Sequence, residues 1–310
     1  MLDLLRLTSF RSPLLRTLVP SVAAAFALQA CVAVPSVAAQ SERFYDVSGS
    51  ATVLAVGALS LYLPALRARA AGEPVQLAFW HMWRWWSLRQ VLVTGLAAVW
   101  TLRLGSYLFA RILAHGHDSR FDSLRSRPPA FFAAFMAQAA WVSAMLAPVI
   151  ALNAVPPSVA PALLVSDVLG LALWAAGFGL EVAADAQKSK WAQAKRRKEH
   201  DQDFLSSGLF AWCRFPNYLG EITLWSGIAT IAAGALAQRP VQRALGFPSG
   251  PRGILATTAL SFFSPVFSAY LITQVSGVPL TEQIYDERYG HRKDYKQWRH
   301  NTPRLLPKIF

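Results

Sequence analysis

Residues Ala130–Ala184 read AFFAAFMAQAAWVSAMLAPVIALNAVPPSVAPALLVSDVLGLALWAAGFGLEVAA. Two mostly apolar runs, Ala130–Asn153 and Ala162–Ala184, meet at Val155-Pro156-Pro157, a short turn with no charge. Each run is long enough to cross a bilayer, because about 20 apolar residues span the hydrocarbon core. Outward from this pair lie five more such runs, Val19–Ala39, Gly49–Leu66, Gln90–Ile112, Tyr218–Ala237 and Ile254–Ser276. The expected fold class is therefore all-α, a polytopic membrane bundle of about seven transmembrane helices. Residues 1–39 form an N-terminal segment with the first span, and residues 40–310 form the main membrane domain.

Composition narrows the reading further. Of 310 residues, 54% are hydrophobic and 15% charged, against roughly 25% charged in a soluble domain. The apolar content excludes disorder, and two distant cysteines, Cys31 and Cys213, exclude a disulfide scaffold. A net charge of +13 on so few charges is unlike a nucleic-acid-binding domain, which is charge-rich. The lipid bilayer is the expected partner, with no nucleic acid and no obligate protein partner evident. Counted by loops, 19 of the 30 Lys/Arg fall on one side of the seven spans and 10 on the other. The richer side, which carries the C-terminus, is expected to be cytoplasmic. Arg6, Arg11 and Arg16 precede the first run like the basic start of a targeting segment. That run is long for a signal peptide, and a retained span is the better reading.

Ionisable groups at membrane depth are functional candidates by default. Arg103 sits inside the third run, needing either a partner or a route to the interface. Glu181, Asp185 and Lys188 share one helical face. They can meet ribose hydroxyls and a phosphate, or form an interfacial ion pair. In Gly208-Leu-Phe-Ala-Trp-Cys-Arg214-Phe-Pro216-Asn217-Tyr218-Leu-Gly220-Glu221, Pro216 suits a helix start. Asn217 and Glu221 then lie one turn apart, and Gly220 permits a close approach. Lys195-Arg196-Arg197-Lys198 reads as a charged loop that touches lipid headgroups or an anionic cofactor. His115-Gly-His117-Asp118-Ser-Arg120 lacks the spacing and supporting ligands of a metal site, so no metal is expected. The tail, with Tyr289, Tyr295 and Trp298 among basic residues, reads from spacing as an interfacial amphipathic segment. Rossmann, Walker, nucleophile-elbow and zincin motifs are missing.

Several of these stretches also carry a likeness. Residues from about 40 to 307 resemble the membrane-bound steroid 5-alpha-reductase-like superfamily, and within it the DUF1295 branch. The matching stretches include Phe44-Tyr45-Asp46, Trp100-Thr-Leu-Arg103-Leu-Gly105 with Tyr107 and Arg111, and Asp118-Ser-Arg120-Phe121. Further matches are Glu181-x3-Asp185-x-Gln187-Lys188, the Arg214–Glu221 element, Ser276-Gly277-x-Pro279, Tyr289-Gly290 and Thr302-Pro303. The resemblance implies a seven-helix bundle holding NADPH at its cytoplasmic end and reducing a carbon–carbon double bond of a sterol, isoprenoid or other lipid enone. Asn217 and Glu221 would then contact the nicotinamide half, Asp185 the adenosine or ribose, and Arg103 and Arg111 the phosphates. The wider cofactor set is Asp118, Arg120, Glu181, Lys188, Arg214, Tyr289 and Tyr295. Tyr218, Glu221 and Tyr107 are the catalytic candidates.

The chain departs from the family pattern in four places. Trp100 stands where the catalytic Tyr of true 5-alpha-reductases aligns, Phe215 stands where relatives have His, and the steroid-lining Gln-Glu pair of those reductases has no match. An Arg expected a few residues after Asp185 is missing, with Lys190 or Lys195 as the substitute. The Arg-x-Pro-Asn-Tyr-x-Gly-Glu element is also similar to membrane methyltransferases, so an S-adenosylmethionine-dependent lipid methyltransferase is the alternative. A non-enzymatic lipid-binding protein is the third reading. The endoplasmic reticulum is the membrane the resemblance implies, with a mitochondrial or bacterial inner membrane as the alternative.

Overall fold

A computed structural model describes residues 7–116 and 118–307. Arg6 and His117 fall outside these described residues. The helices in chain order are α1 (Pro13–Ala38), α2 (Tyr45–Ala70), α3 (Leu88–His115), α4 (Pro128–Met145), α5 (Ala147–Asn153) and α6 (Val165–Arg196). They continue as α7 (Leu209–Trp212), α8 (Pro216–Leu236), α9 (Arg239–Leu245), α10 (Pro251–Tyr270), α11 (Gly277–Tyr289) and α12 (Lys293–Asn301). A π-helical turn, Leu271–Val275, joins α10 to α11. No strand occurs among the described residues.

Among the described residues, six continuous helical stretches are long and apolar enough to cross a membrane. The run expected over Ala130–Asn153 is instead a bent pair, α4 and α5, whose axes differ by 54°. Pro148 accounts for the break, because it has no N–H to give the carbonyl four residues back. Counting that pair as one span gives seven. The fifth run is longer than its apolar stretch, since α6 continues to Arg196. Lys195 and Arg196 are therefore helical, and the charged loop begins only at Arg197.

The chain divides into two compact units. The first comprises residues up to Asp167 together with Thr230–Ser264. In it α1 packs on α4 and α2, and α2 packs on α3. Polar side chains cross-link these apolar helices. Gln29 donates to Thr52 Oγ1 at 2.8 Å, and Ser48 Oγ lies 3.3 Å from both Gln29 Oε1 and Gln138 Oε1. Asn153 donates to Ser60 at 2.8 Å and to Thr94 at 3.1 Å. Buried Arg89 holds Asp167 through two 2.7 Å bonds and also caps the Pro161 and Ala162 carbonyls. Where no water competes, each such bond contributes about 0.6 kcal/mol.

The second unit comprises Val168–Ala229 and the chain from Pro265 onward. Here α6 and α8 touch backbone to backbone. A Cβ on Gly177 would stand 2.6 Å from Gly220 O, and one on Gly220 would stand 2.7 Å from Glu181 N. Small residues permit this approach between membrane helices. Gly220 thus admits a neighbouring backbone, and Gly177, in a span that carries no dinucleotide fingerprint, is its partner.

Candidate functional site

The site in the second unit is assembled from three pieces of chain. The end of α6 brings Lys188 and Trp191, and the start of α8 brings Arg214, Phe215, Asn217 and Tyr218. The C-terminal helices α11 and α12 bring Thr281, Glu282, Tyr285, Tyr295 and Trp298. Together they line an open cleft that is basic at one edge and aromatic along its walls.

Local chemistry explains how each piece is held. Gly208 adopts φ +61°, a left-handed conformation, and Gln187 Oε1 lies only 2.6 Å from where a Cβ would stand. That same oxygen accepts the Leu209 N–H at 3.0 Å, fixing the turn into α7 against α6. Arg214 N and Phe215 N donate to the Pro303 and Arg304 carbonyls at 2.9 and 3.1 Å. The tail is thereby stitched to the start of α8. Phe215 stacks on Tyr218 at 5.7 Å, and a Cβ on Gly277 would collide with the Tyr218 ring.

Arg214 is the centre of the basic edge. Its side chain is 9% exposed and pairs with Glu282 at 2.6 Å. Arg304 reaches the other Glu282 oxygen at 2.8 Å. Burial pushes the Arg214 guanidinium below its ordinary range, and the neighbouring charges of Arg299 and Arg304 act in the same direction, while Glu282 opposes them. Two N–H groups in this wall, Arg214 Nε and Trp298 Nε1, are buried without a hydrogen-bond partner.

The α12 segment is latched by its own bonds. Tyr295 donates to Asp286 at 2.8 Å, and Arg299 pairs with the same carboxylate at 2.6 Å. Burial, followed by the bond to Asp286, raises the Tyr295 phenol well above its ordinary range. Tyr289 donates to the Asp203 carbonyl at 3.0 Å, and Lys195 and Arg292 both pair with the Asp203 carboxylate. The tail is therefore packed as two short helices over the loop 203–214.

Of the residues expected in this region, Lys188, Arg214, Asn217, Tyr218 and Tyr295 line the cleft. Glu181 and Asp185 are buried in the α6 helix, 3% and 7% exposed, and Glu221 accepts from Ser268 at 3.1 Å. None of these three, nor Tyr289, is among the lining residues. Trp191, Glu282, Tyr285 and Trp298 line it without having been singled out as site residues. The alternation of aromatic and charged residues in the tail was the signal available for the last three.

The remaining candidates belong to the first unit. Arg103 lies over the Tyr107 ring at 5.7 Å. Arg111, Asp118 and Arg120 come together with Asp46: Arg120 meets Asp118 at 2.6 Å and Asp46 at 3.4 Å, and Arg111 meets them at 3.6 and 3.7 Å. Arg125 binds Glu42 through two 2.6 Å bonds, and Glu42 accepts the Asp118 N–H at 2.8 Å. Burial alone would raise both carboxyls. The hydrogen bonds and charge of Arg120 (for Asp118) and of Arg125 (for Glu42) outweigh it and hold them below the usual range. Trp100 is 1% exposed and packs near Trp141, as a core residue does.

Membrane-length apolar helices, two compact units and a polar cleft at one set of helix ends define a multi-pass integral membrane protein. Its chain belongs to the DUF1295 family, described as a protein of unknown function (DUF1295), whose pattern matches residues 36–246 and 252–302. No curated protein and no solved structure matches the chain.

Proposed function

We propose that the chain is a membrane reductase using NADPH to reduce a carbon–carbon double bond of a sterol, polyisoprenoid or other lipid enone. The observation that carries this reading is the pair of unpartnered buried donors, Arg214 Nε and Trp298 Nε1, in a cleft that also presents Lys188 and Asn217. A buried donor left unmet costs about 1–3 kcal/mol, so these groups favour an acceptor-rich occupant. A phosphorylated pyridine dinucleotide is one. Its phosphates suit Lys188 as a point charge, and its rings suit the aromatic walls. When bound, that cofactor supplies a hydride.

The chain's own residues supply placement. Asn217 offers an amide to a carboxamide, Arg214 is fixed by Glu282, and the aromatic walls exclude water. Tyr218 is the proton donor assigned here, because it is the candidate phenol at the head of α8 that lines the cleft. Tyr107, in the first unit, is left without a step.

Titration of the purified full chain with NADPH, followed by nicotinamide fluorescence, tests the proposal. Binding on the order of tens of micromolar or tighter is expected, weakened by Asn217→Ala. No binding, or an unaltered Asn217→Ala, would overturn it. S-adenosylmethionine is titrated in parallel. Its binding in place of NADPH would favour the methyltransferase reading, and binding of neither would favour a lipid-binding protein without catalysis.

A further inference from the structure

One end of the first unit is far more basic than the other. Arg67 donates to the Thr8 carbonyl, to Thr8 Oγ1 and to the Arg16 carbonyl at 2.7–3.0 Å, which brings the start of α1 to the end of α2. Ser12 Oγ donates to the Leu245 carbonyl at 2.9 Å, which brings α9 to the same place. Exposed Arg11, Arg16, Arg69, Arg84, Arg239 and Arg243 therefore share this end. Within residues 7–16, 67–89 and 239–252 the acid is Glu73. Asp167, nearby, is already bound by Arg89. At the opposite end of the unit three of the five arginines, Arg111, Arg120 and Arg125, meet carboxylates, which leaves exposed Arg43 and Arg127.

The basic end also carries an aromatic ledge. Between α2 and α3, the 3-10 turn Phe79–Arg84 is anchored by buried Met82 and by Trp86, whose indole N–H donates to the Leu61 carbonyl at 2.9 Å. Anchored in this way, the turn holds Phe79 and Trp80 outward, 64% and 75% exposed. Leu88, at the start of α3, is 85% exposed. A loop between two membrane-length helices lies at the bilayer boundary, where aromatic rings settle among the headgroups.

We infer that this end of the first unit is a docking surface for anionic phospholipid headgroups. The exposed guanidiniums pair with lipid phosphates, each able to present a planar fork of donors. Phe79 and Trp80 seat the ledge at headgroup depth. A layer of anionic lipid supplies the counter-charge that this end of the protein lacks, whereas the opposite end supplies most of its own. The inference does not depend on any cofactor.

The test uses the full chain reconstituted in phosphatidylcholine bilayers doped with spin-labelled phosphatidylglycerol or spin-labelled phosphatidylcholine. Electron paramagnetic resonance reads the immobilised lipid fraction. Phosphatidylglycerol is expected to associate about fivefold more strongly than phosphatidylcholine at low salt, and less so at high salt. The triple variant Arg69→Gln, Arg84→Gln, Arg243→Gln should abolish most of that preference. Arg43→Gln with Arg127→Gln, at the opposite end, should keep it. No preference in the unmodified protein, or a preference untouched by the triple variant, would overturn the inference.

Discussion

Arg214 and Glu282, 68 residues apart in sequence, meet at 2.6 Å with side chains 9% and 10% exposed. Removing one partner of such a buried pair leaves the other charge stranded, at a cost of about 3–5 kcal/mol. Glu282→Gln should therefore lower the thermal midpoint of the purified protein by several degrees. Arg304→Gln, which removes an arm that is 57% exposed, should change it little, as exposed pairs contribute about 0–1 kcal/mol. Equal shifts for the two variants, measured by fluorescence-detected size exclusion after heating, would contradict this account of the pair.

The glycine seam gives a second contrast. Gly220→Ala places a methyl 2.7 Å from backbone atoms of α6 that cannot swing aside, and overpacking of that kind costs about 1–3 kcal/mol. Gly179→Ala, on the same helix pair but facing open space, should be neutral or stabilising by about 0.5–1 kcal/mol through its helix propensity. Thermal midpoints of the two alanine variants should move in opposite directions or differ by several degrees.

Trp298→Phe keeps the ring in the cleft wall and deletes its unpartnered N–H. With no hydrogen bond to lose inside the protein, its stability should hold or rise slightly. If the cleft takes NADPH, the dissociation constant should rise by about fivefold, the worth of one hydrogen bond. An unchanged constant would show that the indole N–H does not face the ligand.

Acid should loosen the ends of α1, α2 and α3 before other parts of the protein. The carboxyls of Asp118 and Glu42 are held low in the folded state by Arg120 and Arg125. A depressed carboxyl contributes stability that is present above its unfolded value and is lost as the pH falls through the folded one. Hydrogen exchange of residues 118–127 should therefore accelerate below the ordinary carboxylate range. Asp118→Asn should already exchange fast at neutral pH and respond less to acid.

The spans were legible because long apolar runs leave little choice in a bilayer, and α2, α3 and α8 lie close to where the runs put them. The extension of α6 through Lys195 and Arg196 was not legible from hydropathy, since a helix leaving the membrane keeps its backbone bonds while its composition turns polar. The bend at Pro148 was written in the sequence as a proline inside an apolar run. At the site, Lys188, Arg214, Asn217 and Tyr218 were readable because charged and amide groups near span ends are few. Glu282 and Trp298 were not. The alternation of aromatic and charged residues marks the tail, but their place in the cleft depends on the stitching of Pro303 and Arg304 to the start of α8, a long-range contact that this pattern does not announce.

The polar cross-link of Gln29, Ser48, Thr52 and Gln138 has a consequence for how the chain is made. Gln138 emerges from the ribosome 90 residues after Ser48, which is about 5–20 s of synthesis. During that interval the amide of Gln29 has Thr52 and Ser48 to bond, while the Ser48 and Thr52 hydroxyls already donate to the Tyr45 and Ser48 carbonyls of their own helix at 2.8 and 2.7 Å. The first two spans can therefore close their polar groups on themselves while they wait in the bilayer, and Gln138 adds its link only when the fourth span arrives.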